Sequence, residues 1–194
     1  MKYYTINPSD DLKVIGHYPQ TELRTDKGDN VRINGYLAMR PDIFPDFVPN
    51  FKLNLHPKAT PTNFLPTSPA SFGWIVDVKL KSILENHTLP KHHFYKIKVF
   101  YNEQILDYYW LHYIVDDFYK FVDKDNSYGE VIEIKTPFET TVKSTFPISS
   151  WEQVLNEKKK HKFNRTRIGR IVMQNKFPEY DLYQTRSINY ISIT

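Results

Sequence analysis

Apolar and polar positions change period several times along this chain, and each change predicts an element. Between residues 94 and 101 the period is two. Tyr95, Ile97, Val99 and Tyr101 share one side, and Phe94, Lys96, Lys98 and Phe100 share the other, which predicts a strand with one buried and one mixed face. "YNEQ" then predicts a turn, and "ILDYYWLHYIV" a returning strand that is more fully apolar and therefore central. Earlier, in "SFGWIVDVKLKSILENHTLP", the period is helical: Val76, Leu80, Ile83, Leu84 and His87 fall on one face. Asp77 is placed to cap that helix and Pro90 to stop its return. After a polar loop around 123–129, "VIEIK" predicts a short strand. In "PISSWEQVLNEKKKHK", Ser149 and Ser150 stand three residues before Glu152 and Gln153, the spacing of a capping box, which predicts a helix of about three turns. "RIGRIVMQ" and "DLYQTRSINYISIT" predict late strands.

Strands and helices in this order do not alternate strictly, so the expected class is α+β: a mixed, largely antiparallel sheet with a few short helices, ahead of a doubly wound α/β sheet. Seven of the thirteen prolines fall between Pro41 and Pro69, which excludes long regular elements there. Phe44, Phe47, Phe51, Leu53, Leu55, Phe64 and Leu65 make the same stretch too apolar for a disordered linker. The expected organisation is a strand-rich N-terminal lobe over 1–40, a proline-rich wrapping connection over 41–70 and a main α+β body over 71–194.

A chain of 194 residues with 40% hydrophobic content has enough apolar mass for a proper core, and its 15% aromatic share favours strands and large contact surfaces. The absence of cysteine excludes disulfides, thiolate metal sites and a cysteine nucleophile. The N-terminus, "MKYYTINPSDDLKVIG", lacks the basic and apolar regions of a secretory signal, and no stretch approaches a membrane span; both point to a cytoplasmic chain that is used whole. Only six scattered glycines are present, so no phosphate-cradling loop or dinucleotide fingerprint can be written, and no serine sits in a nucleophile elbow. The expectation is a protein without a cofactor that is not an enzyme. A hydrolase would need carboxylates that converge only in the fold.

Charge separates along the chain. Residues 103–139 hold nine acidic and three basic side chains, whereas 158–170 hold seven Lys or Arg and no acid. Such polarity orients a partner by its long-range field. Three chemistries were weighed for these residues and for the histidines. His92 and His93 point to opposite faces of an extended chain and cannot easily share a metal with His112, so the histidines read as part of a sheet centre whose polar tips find hydrogen bonds. "DKDNSYGEVIEI" has carboxylates at Asp123 and Asp125 but Tyr128 where a calcium loop needs glycine and Ile134 where it needs glutamate, so a turn is expected instead. In the basic run, Lys158, Lys159, Lys160, Lys162, Arg165 and Arg167 would contact phosphates, with Phe163 to stack on a base; the same lysines would also complement a helix dipole as a solvated helix end. An acidic protein partner would use the same charges.

Several segments resemble a family of bacterial immunity proteins of polymorphic toxin systems, formerly a domain of unknown function. They are "KYYTI", "YPQ", "ATPTNFL", "GWIVDVKLKSILE", "LPKHHFYKIKVF" with "YYWLHYI", "FVDKDNSYG", "YDLYQ" and "YISI". The most specific is "FVDKDNSYG", where Val122, Asp123 and Ser127 look like the family's hydrophobic, aspartate and serine positions. The chain departs from the family at Asp77, where a capping serine is expected, and in ending at Thr194, where members continue into a last helix and a short strand. The resemblance implies a bacterial protein that neutralises a cognate toxin by stoichiometric binding, with no catalytic residue to carry over. Contact candidates are Lys158, Lys159, Lys160, Lys162, Arg165 and Arg167 on one side and Asp116, Asp117, Asp123 and Asp125 on the other. The alternative is a nucleic-acid-binding accessory protein that uses residues 158–170.

Overall fold

A computed structural model describes residues 6–66, 70, 72–114, 118–136, 139–161 and 165–182. They form three α-helices and nine strands, an α+β architecture in which sheet predominates. The chain divides into two compact units, one over 6–115 with 180–183, the other over 116–179. This division differs from boundaries at 40 and 70. Residues of the expected N-terminal lobe and of the proline-rich stretch are hydrogen bonded into one sheet with the body that follows.

The first unit begins with a one-turn helix α1 (Leu12–Ile15), capped by the Asp11 carboxylate. Strand β1 (Thr21–Leu23) pairs antiparallel with β2 (Lys52–Leu55), and β2 pairs parallel with β5 (His92–Tyr101). β5 returns as β6 (Gln104–Tyr113), which pairs with β4 (Trp74–Asp77), itself flanked by β3 (Phe64–Leu65). The order β1-β2-β5-β6-β4-β3 places β5 and β6 at the centre. The fuller apolarity of "ILDYYWLHYIV" anticipated that position for β6. Between β5 and β6 the turn residues Asn102 and Glu103 both take positive φ, 45° and 66°, as a two-residue hairpin with matching right-handed twist requires.

One face of this sheet is largely buried. Leu53, Leu55, Leu65, Ile75, Ile97, Val99, Tyr108 and Trp110 point into a core closed by Met39 and, from the proline-rich stretch, by Phe51, Ala59 and Ala70. That stretch also contributes β2 and β3, because Lys52–Leu55 alternates between half-buried and buried positions even among prolines. The polar tips of the covering aromatics are satisfied by wrapping carbonyls: Tyr101 donates to Ala59 (3.0 Å), Tyr108 to Thr62 (2.6 Å) and the Trp110 indole to Phe72 (3.1 Å). On the opposite face, helix α2 (Val78–Leu84) covers only one half, where Val76, Leu84, Leu111 and Tyr113 are buried. Asp77 caps α2 by accepting from the Leu80 N–H at 2.8 Å. Val76, expected on the helical face, belongs to β4 instead. The cap at Asp77 starts the helix one residue later, and Val76 reaches the same cluster from the strand.

In the second unit, β7 (Tyr128–Thr136) lies between β8 (Glu139–Pro147) and β9 (Arg165–Arg170), all antiparallel. Helix α3 (Trp151–Lys160) is N-capped by Ser150, whose hydroxyl accepts from the Gln153 N–H at 3.2 Å. The Gln153 side chain accepts in turn from the Ser149 N–H at 3.1 Å, so both serines of the predicted box are used. Val154 from α3 joins Val131, Phe146 and Ile148 in the core, and the Phe146 ring lies over Gly129 on the paired strand, where any Cβ would collide with it. "DLYQTRSINYISIT" lies outside the described residues beyond Leu182.

Candidate functional site

Of the expected contact residues, Lys158, Lys159 and Lys160 form the exposed last turn of α3. Lysines at a helix C-terminus interact favourably with its dipole, and Lys160 and His161 also approach Glu157, at 3.8 and 3.3 Å. Arg167 pairs with Glu130 on β7 at 2.7 Å, and Arg165 is exposed at the start of β9. Asp116, Asp117 and Lys162, with Phe163, lie outside the described residues.

Asp123 has a structural task. Its carboxylate accepts from the Asp125 and Asn126 N–H groups (3.1 and 3.3 Å) and from the Asn126 amide (2.8 Å); these hydrogen bonds, led by the Asn126 side chain, hold its pKa below the usual aspartate value. The turn predicted from Tyr128 and Ile134 is thus an aspartate-anchored turn. Ser127 is buried, and its hydroxyl donates to the Val172 carbonyl and accepts from the Val172 N–H (3.3 and 2.9 Å). The Asp123 N–H also donates to Val172, and Gln174 bonds Phe121 and Val122. Val122, Asp123 and Ser127 therefore clasp the segment 172–174 to the unit. Asp125, the other described acid of this group, is exposed.

The histidines of β5 and β6 sit as a sheet centre. His92 bonds the Pro90 carbonyl at 2.8 Å, and His93 stands opposite His112 in the ladder. His112 is fully buried, its ring stacked on Trp110 at 4.7 Å and met by Phe44 and Phe72 at 5.1 and 5.2 Å. No group of three or more metal-binding side chains is found among the described residues.

A different pair of histidines lines a cleft in the first unit. About 510 Å³ of space opens at the carboxyl ends of the parallel strands β2 and β5, between the loops carrying His17 and His56 and the β5–β6 hairpin. Backbone bonds fix this end: the Thr60 N–H donates to Ile15 and the His56 N–H to Gln20, both at 2.8 Å, and the buried Gln20 amide donates to Thr60 at 2.8 Å. Gly16, at φ 72°, ends α1 so tightly against the Lys58 carbonyl that a side chain there would force the loop away. The result is a parallel stack of the His17 and His56 rings, with centroids 3.4 Å apart and planes 8° from parallel.

The stack has defined tautomers. His17 Nδ1 lies 3.1 Å from the Pro19 carbonyl, which can only accept, so this nitrogen carries the proton and Nε2 offers a lone pair. His56 Nδ1 accepts from the Lys58 N–H at 3.2 Å, so neutral His56 carries its proton on Nε2. Desolvation first, then His17 and Lys58, lower the His56 pKa against the opposing pull of Glu22. Parallel rings cannot both aim lone pairs at one metal ion, because each lone pair lies in its own ring plane.

The floor of the cleft is one row across four strands: Glu22, Asn54, Phe100 and Ile105 are successive ladder partners, spanning roughly 14 Å at the usual strand spacing. Arg24 lies over the Phe100 ring at 4.0 Å and pairs with Asp26 at 2.9 Å. Asp26 and Asp29 also hold the largely buried ammonium of Lys52, at 2.9 and 2.7 Å. Sequence reasoning missed this site because its residues are scattered from 17 to 105 and none belongs to a motif. Comparison of the chain with protein-family models, with curated proteins and with solved structures finds no match in any of the three.

Proposed function

We propose that the protein is a cytoplasmic, immunity-type binding protein that neutralises a cognate toxin by stoichiometric association. One structural observation carries the reading beyond the sequence resemblance: β8 is a terminal strand, paired only with β7 among the described residues, and Val142, Lys143, Ser144 and Thr145 are all exposed along it. A nine-residue strand with one open edge is a template for a partner's strand, which would take its affinity from main-chain hydrogen bonds. Beside that edge, Ile134 and Val142 leave nearly half their surface in water, 45% and 47%, and would serve as apolar anchors.

The exposed Lys158, Lys159 and Lys160 support the competing reading, a nucleic-acid-binding accessory protein. The pairing of Arg167 with Glu130 counts against it by removing one phosphate contact. Capture of a catalytically disabled, neighbour-encoded toxin by the tagged full chain distinguishes the two. Equimolar recovery that survives high salt is expected, with at least tenfold weaker capture by Val142→Asp. No captured protein and no protection of a susceptible cell would sink the proposal; nucleic acid recovered alone and lost as salt rises would establish the competitor.

A further inference from the structure

We propose that the cleft at the end of the six-stranded sheet is a binding site for a cationic side chain, the guanidinium of arginine or ammonium of lysine, presented on a peptide segment of a partner. The inference concerns the cleft alone and holds whether or not that partner is a toxin.

The charges decide the class of occupant. Arg24 is already met by Asp26, and Lys52 by Asp26 and Asp29. Glu22 and Glu103, both exposed residues of the cleft lining, form no hydrogen bond or ion pair among the described residues. His17 and His56, stacked face to face, disfavour a double positive charge, and the lowered His56 pKa keeps that ring neutral at pH 7. The charge left uncompensated in the lining is therefore negative. An anion would meet two carboxylates, and a metal ion would meet two rings that cannot converge on it.

The remaining surface suits the stem of a long cationic side chain. Leu55, Phe100, Tyr101 and Ile105 supply apolar and aromatic walls. Arg24 over Phe100 demonstrates that this floor accepts a guanidinium at stacking distance. The His17 Nε2 lone pair adds a neutral acceptor to the two carboxylates, and guanidinium or ammonium groups only donate.

The test is a titration of the isotope-labelled full chain with N-acetyl-arginine amide, followed by NMR, beside N-acetyl-citrulline amide, which has the same shape and no charge. Saturable shifts at Thr21, Glu22, Glu103 and the His56 ring are expected for the arginine probe, with at least tenfold weaker binding of the citrulline probe. Glu22→Gln with Glu103→Gln, two exposed positions whose exchange leaves the spectrum elsewhere unchanged, is expected to weaken arginine binding at least tenfold. Equal response to both probes, shifts that do not saturate, or unchanged binding in the double variant would overturn the proposal. Because no toxin enters this experiment, its failure leaves the capture result standing, and the reverse.

Discussion

The six-stranded sheet buries most of one face and half of the other, with paired charges on its open half, whereas in the three-stranded sheet β8 is a terminal strand among the described residues and is exposed over 142–145. Both solve the problem of covering a sheet with few helices, but with different materials. The first uses a proline-rich stretch whose carbonyls satisfy Tyr101 and Tyr108, with Phe72 just after it accepting from Trp110. The second has one ten-residue helix, whose Val154 joins a smaller buried cluster of Tyr119, Val122, Val131, Phe146 and Ile148. Stability is thus concentrated in the first unit, and the readily paired edge lies in the second.

The sharpest way to break this comparison is to cut both cores. Trp110→Ala removes a fully buried indole with its hydrogen bond and should cost about 3–5 kcal/mol in chemical denaturation, with Phe146→Ala toward the lower end of that range. A larger loss for Phe146→Ala would reverse the ranking. The two helix caps should cost less and about equally: Asp77→Ala and Ser150→Ala each about 1 kcal/mol, and a cap without effect would mean that tertiary packing alone holds its helix.

Glu103 sharpens the contrast between stability and binding. At φ 66° it occupies a position that glycine takes without strain, so Glu103→Gly should raise the unfolding free energy by about 1 kcal/mol while weakening arginine binding in the cleft. Stabilisation with undiminished binding would exclude that carboxylate from the site.

The pH response separates the regions more gently. His56 has its folded pKa lowered below 6.5, so the folded state favours the neutral ring; this contribution is present above 6.5 and is lost as pH falls through the lowered value. Asp26 and Asp29, lowered chiefly by hydrogen bonds from Lys52, contribute above 3.8 and lose that contribution only at more acid pH; Asp123 in the second unit, lowered chiefly by Asn126, behaves in the same way. Between about pH 6.5 and 4, hydrogen-exchange protection of β2 should therefore decline in the wild type and hold in His56→Gln. Equal decline in both proteins would remove the stack as the cause.

How much was legible in advance follows from distance along the chain. The β5–β6 hairpin, the cap at Asp77 and the capping box at Ser149 and Ser150 were readable because each depends on neighbours within a few residues: alternation, a side chain three positions from its N–H, a two-residue turn. The same locality made Asp123 readable as a turn former. What it hid was Ser127, whose two bonds to Val172 cross 45 positions.

By itself, then, the sequence determined the local elements, the α+β class and the surface position of its basic run, since period, capping and turn chemistry act over one or two turns of chain. Only the tertiary structure decided that residues 41–70 would share a sheet with β5, that β8 would be left as an edge, and that His17, Glu22, His56 and Glu103 would line one cleft. Strand order sets those neighbours. It depends on which apolar faces find each other across long loops, a competition of buried area that no short window of residues contains.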